Sequence, residues 1–88
     1  MTQTVYFVDD PNHQAGIWTC TPGAFVSNHV GYVECMHVVD GEAELQGEDG
    51  TAWRVEPGTL LVIPDGWTGI WRVTKQITKS FAIFRDAT

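Results

Sequence analysis

The sequence predicts an all-β domain, a barrel or sandwich of short strands, and three observations predict it. Turn chemistry interrupts the chain at Asp10-Pro11-Asn12, Pro22-Gly23, Asp40-Gly41, Gly47-Glu48-Asp49-Gly50, Glu56-Pro57-Gly58 and Pro64-Asp65-Gly66, so only short elements fit between these points. The intervening segments are rich in Val, Ile, Thr, Trp, Tyr and Phe, which suit a pleated, half-buried surface. The length of 88 residues is room for one domain. An eight-unit α/β barrel takes about 250 residues and is excluded. Many short strands with Gly and Pro turns give a sandwich or barrel.

In chain order, strands are predicted over residues 4–8, 16–21, 31–39, 42–46, 52–55, 60–63 and 69–74. Asp40-Gly41 reads as a two-residue hairpin turn, because Gly tolerates the positive φ such a turn requires. Residues 70–84 contain no Gly or Pro, and Ile70, Val73, Ile77, Phe81 and Phe84 recur at helical intervals. The composition, Thr, Val, Ile, Trp and Phe throughout, favours instead two strands joined by a turn at Lys75-Gln76.

Eleven acidic residues against five basic ones give a net charge of -6. The basic residues, Arg54, Arg72, Lys75, Lys79 and Arg85, form no stripe that could neutralise phosphates, so neither nucleic acid nor an anionic membrane is an expected partner. No segment approaches the roughly 20 apolar residues of a membrane span, and the first ten residues do not read as a signal peptide. The expectation is a cytoplasmic protein of one domain, residues 1–88. Cys20 and Cys35 lack C-x-x-C spacing and are expected as buried thiols rather than a disulfide.

The segment Gly58-Thr-Leu-Leu-Val-Ile-Pro64-Asp-Gly66-Trp-Thr-Gly69 resembles the second cupin motif, G-x5-P-x-G-x2-H, with Gly69 where His is expected. Upstream, Glu34 and Gly41 resemble the E-x6-G end of the first cupin motif. Both halves stand in the expected order, and the chain resembles a small single-domain cupin, which implies a jelly-roll β-barrel. Residues 16–84 carry the likeness. Within cupins they resemble the compact class typified by the ureidoglycine aminohydrolase domain and the ethanolamine-utilisation cupins. That class implies a homodimer, with residues 1–15 an extension whose strand could pair with a second subunit.

The resemblance also implies a site. Metal-binding cupins hold a divalent ion with His-x-His and Glu from the first motif and His from the second, donors that suit Mn, Fe, Ni or Zn. Here Ser27 stands at the first position, His29 at the second, Glu34 at the third and Gly69 at the last, so only His29 and Glu34 survive as ligands. Catalytic zinc usually has three protein ligands, so metal binding is expected to be weak and no cofactor is expected. Strand alternation puts Glu34, Met36 and Val38 on one face and Cys35 and His37 on the other. If Glu34 points inward, His37 points out. Met36, Trp71 and Val73 are expected beside Glu34, and His13 in solvent.

Glu34 is the candidate catalytic group, a general base toward a small molecule, or else a structural carboxylate held by its neighbours. Ser27 and His29 share a strand face, but no third orienting residue or oxyanion donor is identifiable, so a serine hydrolase is not expected. Trp18, Trp53, Trp67 and Trp71 are expected mainly as core, which a small domain lacks. Three functions are compatible with these residues. The first is a cupin with a decayed metal site that binds a small polar ligand through Ser27, His29, Glu34, Met36, Gly69 and Trp71, or serves as an accessory subunit. The second is a metal-dependent enzyme acting on a small nitrogenous substrate. The third is a structural protein whose pocket is filled.

Overall fold

The computed structural model describes residues 1–85. Seven strands succeed one another: β1 (Thr2–Asp9), β2 (His13–Cys20), β3 (Gly23–His29), β4 (Val33–Gly47), β5 (Ala52–Val55), β6 (Leu60–Ile63) and β7 (Trp67–Phe84). Every pairing is antiparallel, and the two long strands β4 and β7 form the spine. The C-terminal half of β7 and the N-terminal half of β4 join β2 and β6, with β1 outside β2. The other halves join β3 and β5. Buried side chains of both halves, Met36, Val38, Ile77 and Phe81 on one side and Leu45, Val55 and Trp71 on the other, meet in a single core. The result is the expected jelly-roll β-barrel, stabilised by about 1.5–3 kcal/mol for each large side chain fully removed from water.

The spine differs from the expectation at two points. Asp40-Gly41 is not a hairpin turn: β4 runs through it, and the pairing with β7 shifts register between Val38 and Ala43. Such bulges let one strand pass from one sheet into another. Up to Val38 the buried positions of β4 are even-numbered, and from Gly41 onward they are odd-numbered. Gly41 has φ +91°, and a Cβ there would collide with the backbone of Gln76 and Ile77. Close approach and positive φ together account for the glycine.

Lys75-Gln76 is likewise not a turn, because β7 is continuous from Trp67 to Phe84. The helical spacing within residues 70–84 corresponds to no helix. β3, absent from the expectation, is the third difference: it pairs with β7 from Gly23↔Val73 to His29↔Trp67. β1 pairs with β2 of its own chain from Thr2↔Cys20 to Asp9↔Gln14. Both cysteines are free thiols, Cys20 buried and Cys35 half-buried.

Candidate ligand-binding cavity

Alternation along three strands determines what faces the interior. On β3, Phe25, Ser27 and His29 turn inward while Ala24, Val26 and Asn28 are exposed. On β4, Glu34 and Met36 are buried while His37 is exposed. On β7, Trp71, Ile77, Lys79 and Phe81 are buried. The inner face of these strands borders a cavity of about 260 Å³ whose lining includes Trp18, Ser27, His29, Glu34, Trp71 and Lys79. Thr4 and Tyr6 of β1 complete its wall.

The centre of the cavity is an ion pair. Lys79 Nζ donates to Glu34 Oε2 at 2.5 Å, and both side chains are almost wholly buried. The same ammonium lies 4.8 Å from the ring centroids of Trp18 and of Trp71, where the negative faces of the indoles favour a cation. Burial pushes the lysine below its ordinary pKa, and the Glu34 charge opposes that push. Phe25 stacks on Trp71 with centroids 6.1 Å apart, closing an aromatic box.

His29 lies on the other side of Glu34. Its Nε2 is 3.0 Å from Ser27 Oγ, and its Nδ1 is 3.6 Å from Glu34 Oε1. Nδ1 is buried and has no hydrogen-bond partner. The ring is wedged between Tyr32, at 5.1 Å, and Trp67, at 5.6 Å between centroids. Burial lowers its pKa, with the Glu34 charge acting the other way and Lys79 adding to the lowering, so the imidazole is neutral at pH 7. Burial and the Glu34 charge raise that of the Tyr32 hydroxyl.

The structure therefore brings Ser27, His29, Glu34 and Trp71 together. Met36, at 1% exposure, and Val73 pack in the core and do not line the cavity, a correction to the expected lining. Gly69 is buried opposite Ser27, also away from the cavity lining. A Cβ at Gly69 would run into the Gln46 carbonyl oxygen and lie 2.7 Å from the Trp67 ring. The indole of Trp67 thus covers the position where the second motif calls for His. His37 is exposed on the outer face, as alternation requires, and His13 is exposed beside Asp10.

Lys79 is a central residue of the cavity that the sequence expectation did not include. Its signal was present: Ile77, Lys79, Phe81 and Ile83 alternate, and a lysine in an apolar row of a strand is placed for burial. Tested as a metal site, the donors do not fit. Among the described residues no three His, Cys, Asp or Glu side chains converge, and one carboxylate oxygen of Glu34 is already held by an ammonium. Beside Ser27 and His29, the Glu34 carboxylate lies 3.6 Å from His29 Nδ1, outside hydrogen-bond reach.

A jelly roll with its polar groups clustered inside the barrel defines a small cupin. The chain belongs to the EutQ-like cupin family, whose domain model matches residues 9–81. Among solved structures it is similar to the EutQ protein of Clostridium difficile, with TM-score 0.83 and 18% identity over 98% of this chain and 64% of that one. The chain thus spans less than two thirds of the EutQ protein's length. It is similar to a DUF861-family protein of Thermotoga maritima, with TM-score 0.70 and 26% identity over 74% of this chain and 73% of that one. Ectoine synthase of P. lautus shares the fold, with TM-score 0.86 and 14% identity over 99% and 66%. No curated protein matches the sequence. Among the described residues no helix is long and apolar enough to cross a membrane.

Proposed function

We propose that this chain binds a small polar ligand inside the barrel without a bound metal, as a binding protein or accessory subunit. The observation that carries this reading is the Lys79 ammonium held on Glu34 at 2.5 Å within the cavity. An ammonium there supplies positive charge beside Glu34, one of the two motif positions that retain a metal-ligand residue type. Its donors beyond the one Glu34 takes suit a carbonyl or carboxylate oxygen. The aromatic walls give apolar contact to a flat ligand. The unpartnered Nδ1 of His29 is the kind of buried polar atom that a ligand completes.

The alternative, a metal-dependent aminohydrolase of the ureidoglycine type, requires an ion held by about three protein donors. Such an ion would have to displace Lys79 from Glu34. On our reading the protein works in the cytoplasm, where its two free thiols persist, and it is a homodimer. Support for the dimer comes from apolar side chains that are more than half exposed, Val5 and Phe7 on β1, Leu60 and Val62 on β6 and Phe84 on β7. Light scattering should give twice 9.8 kDa, falling to the monomer mass in Leu60→Lys.

A thermal-shift screen with small carboxylates, ureides, amines and sugars tests the reading. Ligands that bind only the native state raise Tm. At least one carboxylate or ureide should do so, and the shift should vanish in Lys79→Met. Stoichiometric Mn, Fe, Ni or Zn in protein purified without chelator, lost in Glu34→Ala, would overturn it.

A further inference from the structure

Ser27 is a cavity residue to which the ligand-binding reading gives no role, and it stands in line with two that the reading does use, His29 and Glu34. Ser27 Oγ is 3.0 Å from His29 Nε2, and His29 Nδ1 is 3.6 Å from Glu34 Oε1. Ser27 and His29 are two residues apart on β3 and both face inward; Glu34 reaches the ring from β4. From this geometry we infer that Ser27, His29 and Glu34 form a nucleophile, base and orienting carboxylate, and that the protein hydrolyses a small ester through an acyl-serine intermediate.

Each part of such a site has a physical counterpart here. A serine hydroxyl becomes nucleophilic only when a neutral base accepts its proton within hydrogen-bond reach. The Ser27 to His29 distance satisfies that reach, and burial keeps the imidazole neutral. The base must be held in one orientation, and Tyr32 and Trp67 flank the ring while the Glu34 carboxylate faces Nδ1. That contact favours a proton on Nδ1, which leaves the Nε2 lone pair for Ser27. At 3.6 Å the carboxylate acts on the ring through its charge, and closing to hydrogen-bond distance would come with substrate. Ser27 is part of the cavity lining, and about 260 Å³ admits a short acyl group and a small alcohol.

In the first half-reaction the Ser27 proton moves to Nε2 as Oγ bonds to the ester carbonyl carbon. The bond to the alcohol oxygen then breaks, and the alcohol leaves with the proton from Nε2. In the second half, water gives a proton to Nε2 and bonds to the acyl carbon. The acid departs as the Oγ–C bond breaks, and Oγ recovers the proton. Lys79, the ammonium in the same wall, has N–H donors beyond the one on Glu34 for the carbonyl or acid oxygen. Glu34 acts through His29 and is a positioning residue.

Diisopropyl fluorophosphate and p-nitrophenyl acetate are the probes. The phosphorylating reagent should add one diisopropylphosphoryl group per chain, mapped by peptide mass spectrometry to Ser27, with loss of fluoride. Hydrolysis of p-nitrophenyl acetate should fall at least about a hundredfold in Ser27→Ala and in His29→Gln, the usual contribution of a positioned general base. Glu34→Gln should lower kcat with KM changed less than about twofold, a split that mere loosening of the fold would not produce. The mapping uses the wild-type chain, so it decides the matter even if a variant fails to fold. Modification elsewhere or nowhere, or a wild-type rate equal to that of Ser27→Ala, overturns the inference. The ligand-binding reading is tested separately by the Tm screen on the wild-type chain, and a carboxylate that raises Tm there without any labelling of Ser27 upholds that reading while this one fails.

Discussion

Lys79 Nζ and Glu34 Oε2 lie 2.5 Å apart, although the two residues are not opposite one another in the sheet: Lys79 pairs with Val38 and Trp18, and Glu34 with Ile83. The lysine reaches its partner along the inner face of the barrel, its ammonium 4.8 Å from the ring centroids of Trp18 and Trp71. A buried charge is tolerated only when paired, and each member of this pair accounts for the presence of the other. The interior of the barrel therefore carries both signs of charge and a neutral imidazole, enclosed by indole and phenyl rings.

The collision of a Cβ at Gly69 with the Gln46 carbonyl and the Trp67 ring gives the first prediction. Gly69→Ala should lower stability by about 2 kcal/mol, as overpacking against backbone does, measured by urea unfolding. Gly69→His restores the residue that the second motif calls for, yet it should be less stable still and should show no rise in Tm with added zinc. A zinc-dependent rise would mean that the Trp67 ring yields its place.

Stability should fall as the solution is acidified below pH 6.5, the ordinary histidine value. The folded-state pKa of His29 is depressed, so below 6.5 the unfolded chain takes up the proton first. The contribution is therefore complete above 6.5 and is lost as pH descends through the folded-state value. One such group gives a slope of at most about 1.4 kcal/mol per pH unit. Unfolding curves of wild type and His29→Gln between pH 7 and 4 check this. The variant should show the smaller slope, and equal slopes would contradict it.

Gly41→Ala should cost about 3 kcal/mol, because φ +91° disfavours any side chain and the Gln76 backbone occupies the space. Chemical denaturation measures the loss. A change below about 1 kcal/mol would mean that the bulge is free to relax.

Much of this arrangement was legible in the sequence, for reasons particular residues illustrate. The alternation Glu34-Cys35-Met36-His37 put the acid inside and the histidine outside, because a strand admits only that parity. The two motif halves located His29, Glu34 and Gly69. β3 was not legible: its inward positions beyond Phe25 are Ser27 and His29, polar residues that weaken the apolar period. Asp40-Gly41 carries the chemistry of a hairpin, yet the pair forms a bulge, since β4 stays bonded to β7 on both sides of it. Lys79 went unrecognised because a lysine in sequence resembles a solvated charge. Only the partner contributed by a distant strand makes its burial tenable.

The ion pair itself is tested most directly by a double-mutant cycle, with Glu34→Gln, Lys79→Met and the double variant unfolded in urea at pH 7. Each single change should cost about 3 kcal/mol, because it strands the opposite charge in the interior. The double change should cost less than the sum by about 2 kcal/mol or more, the mark of two groups in direct contact. Strict additivity would contradict the account, since it would mean that Lys79 and Glu34 do not meet inside the barrel.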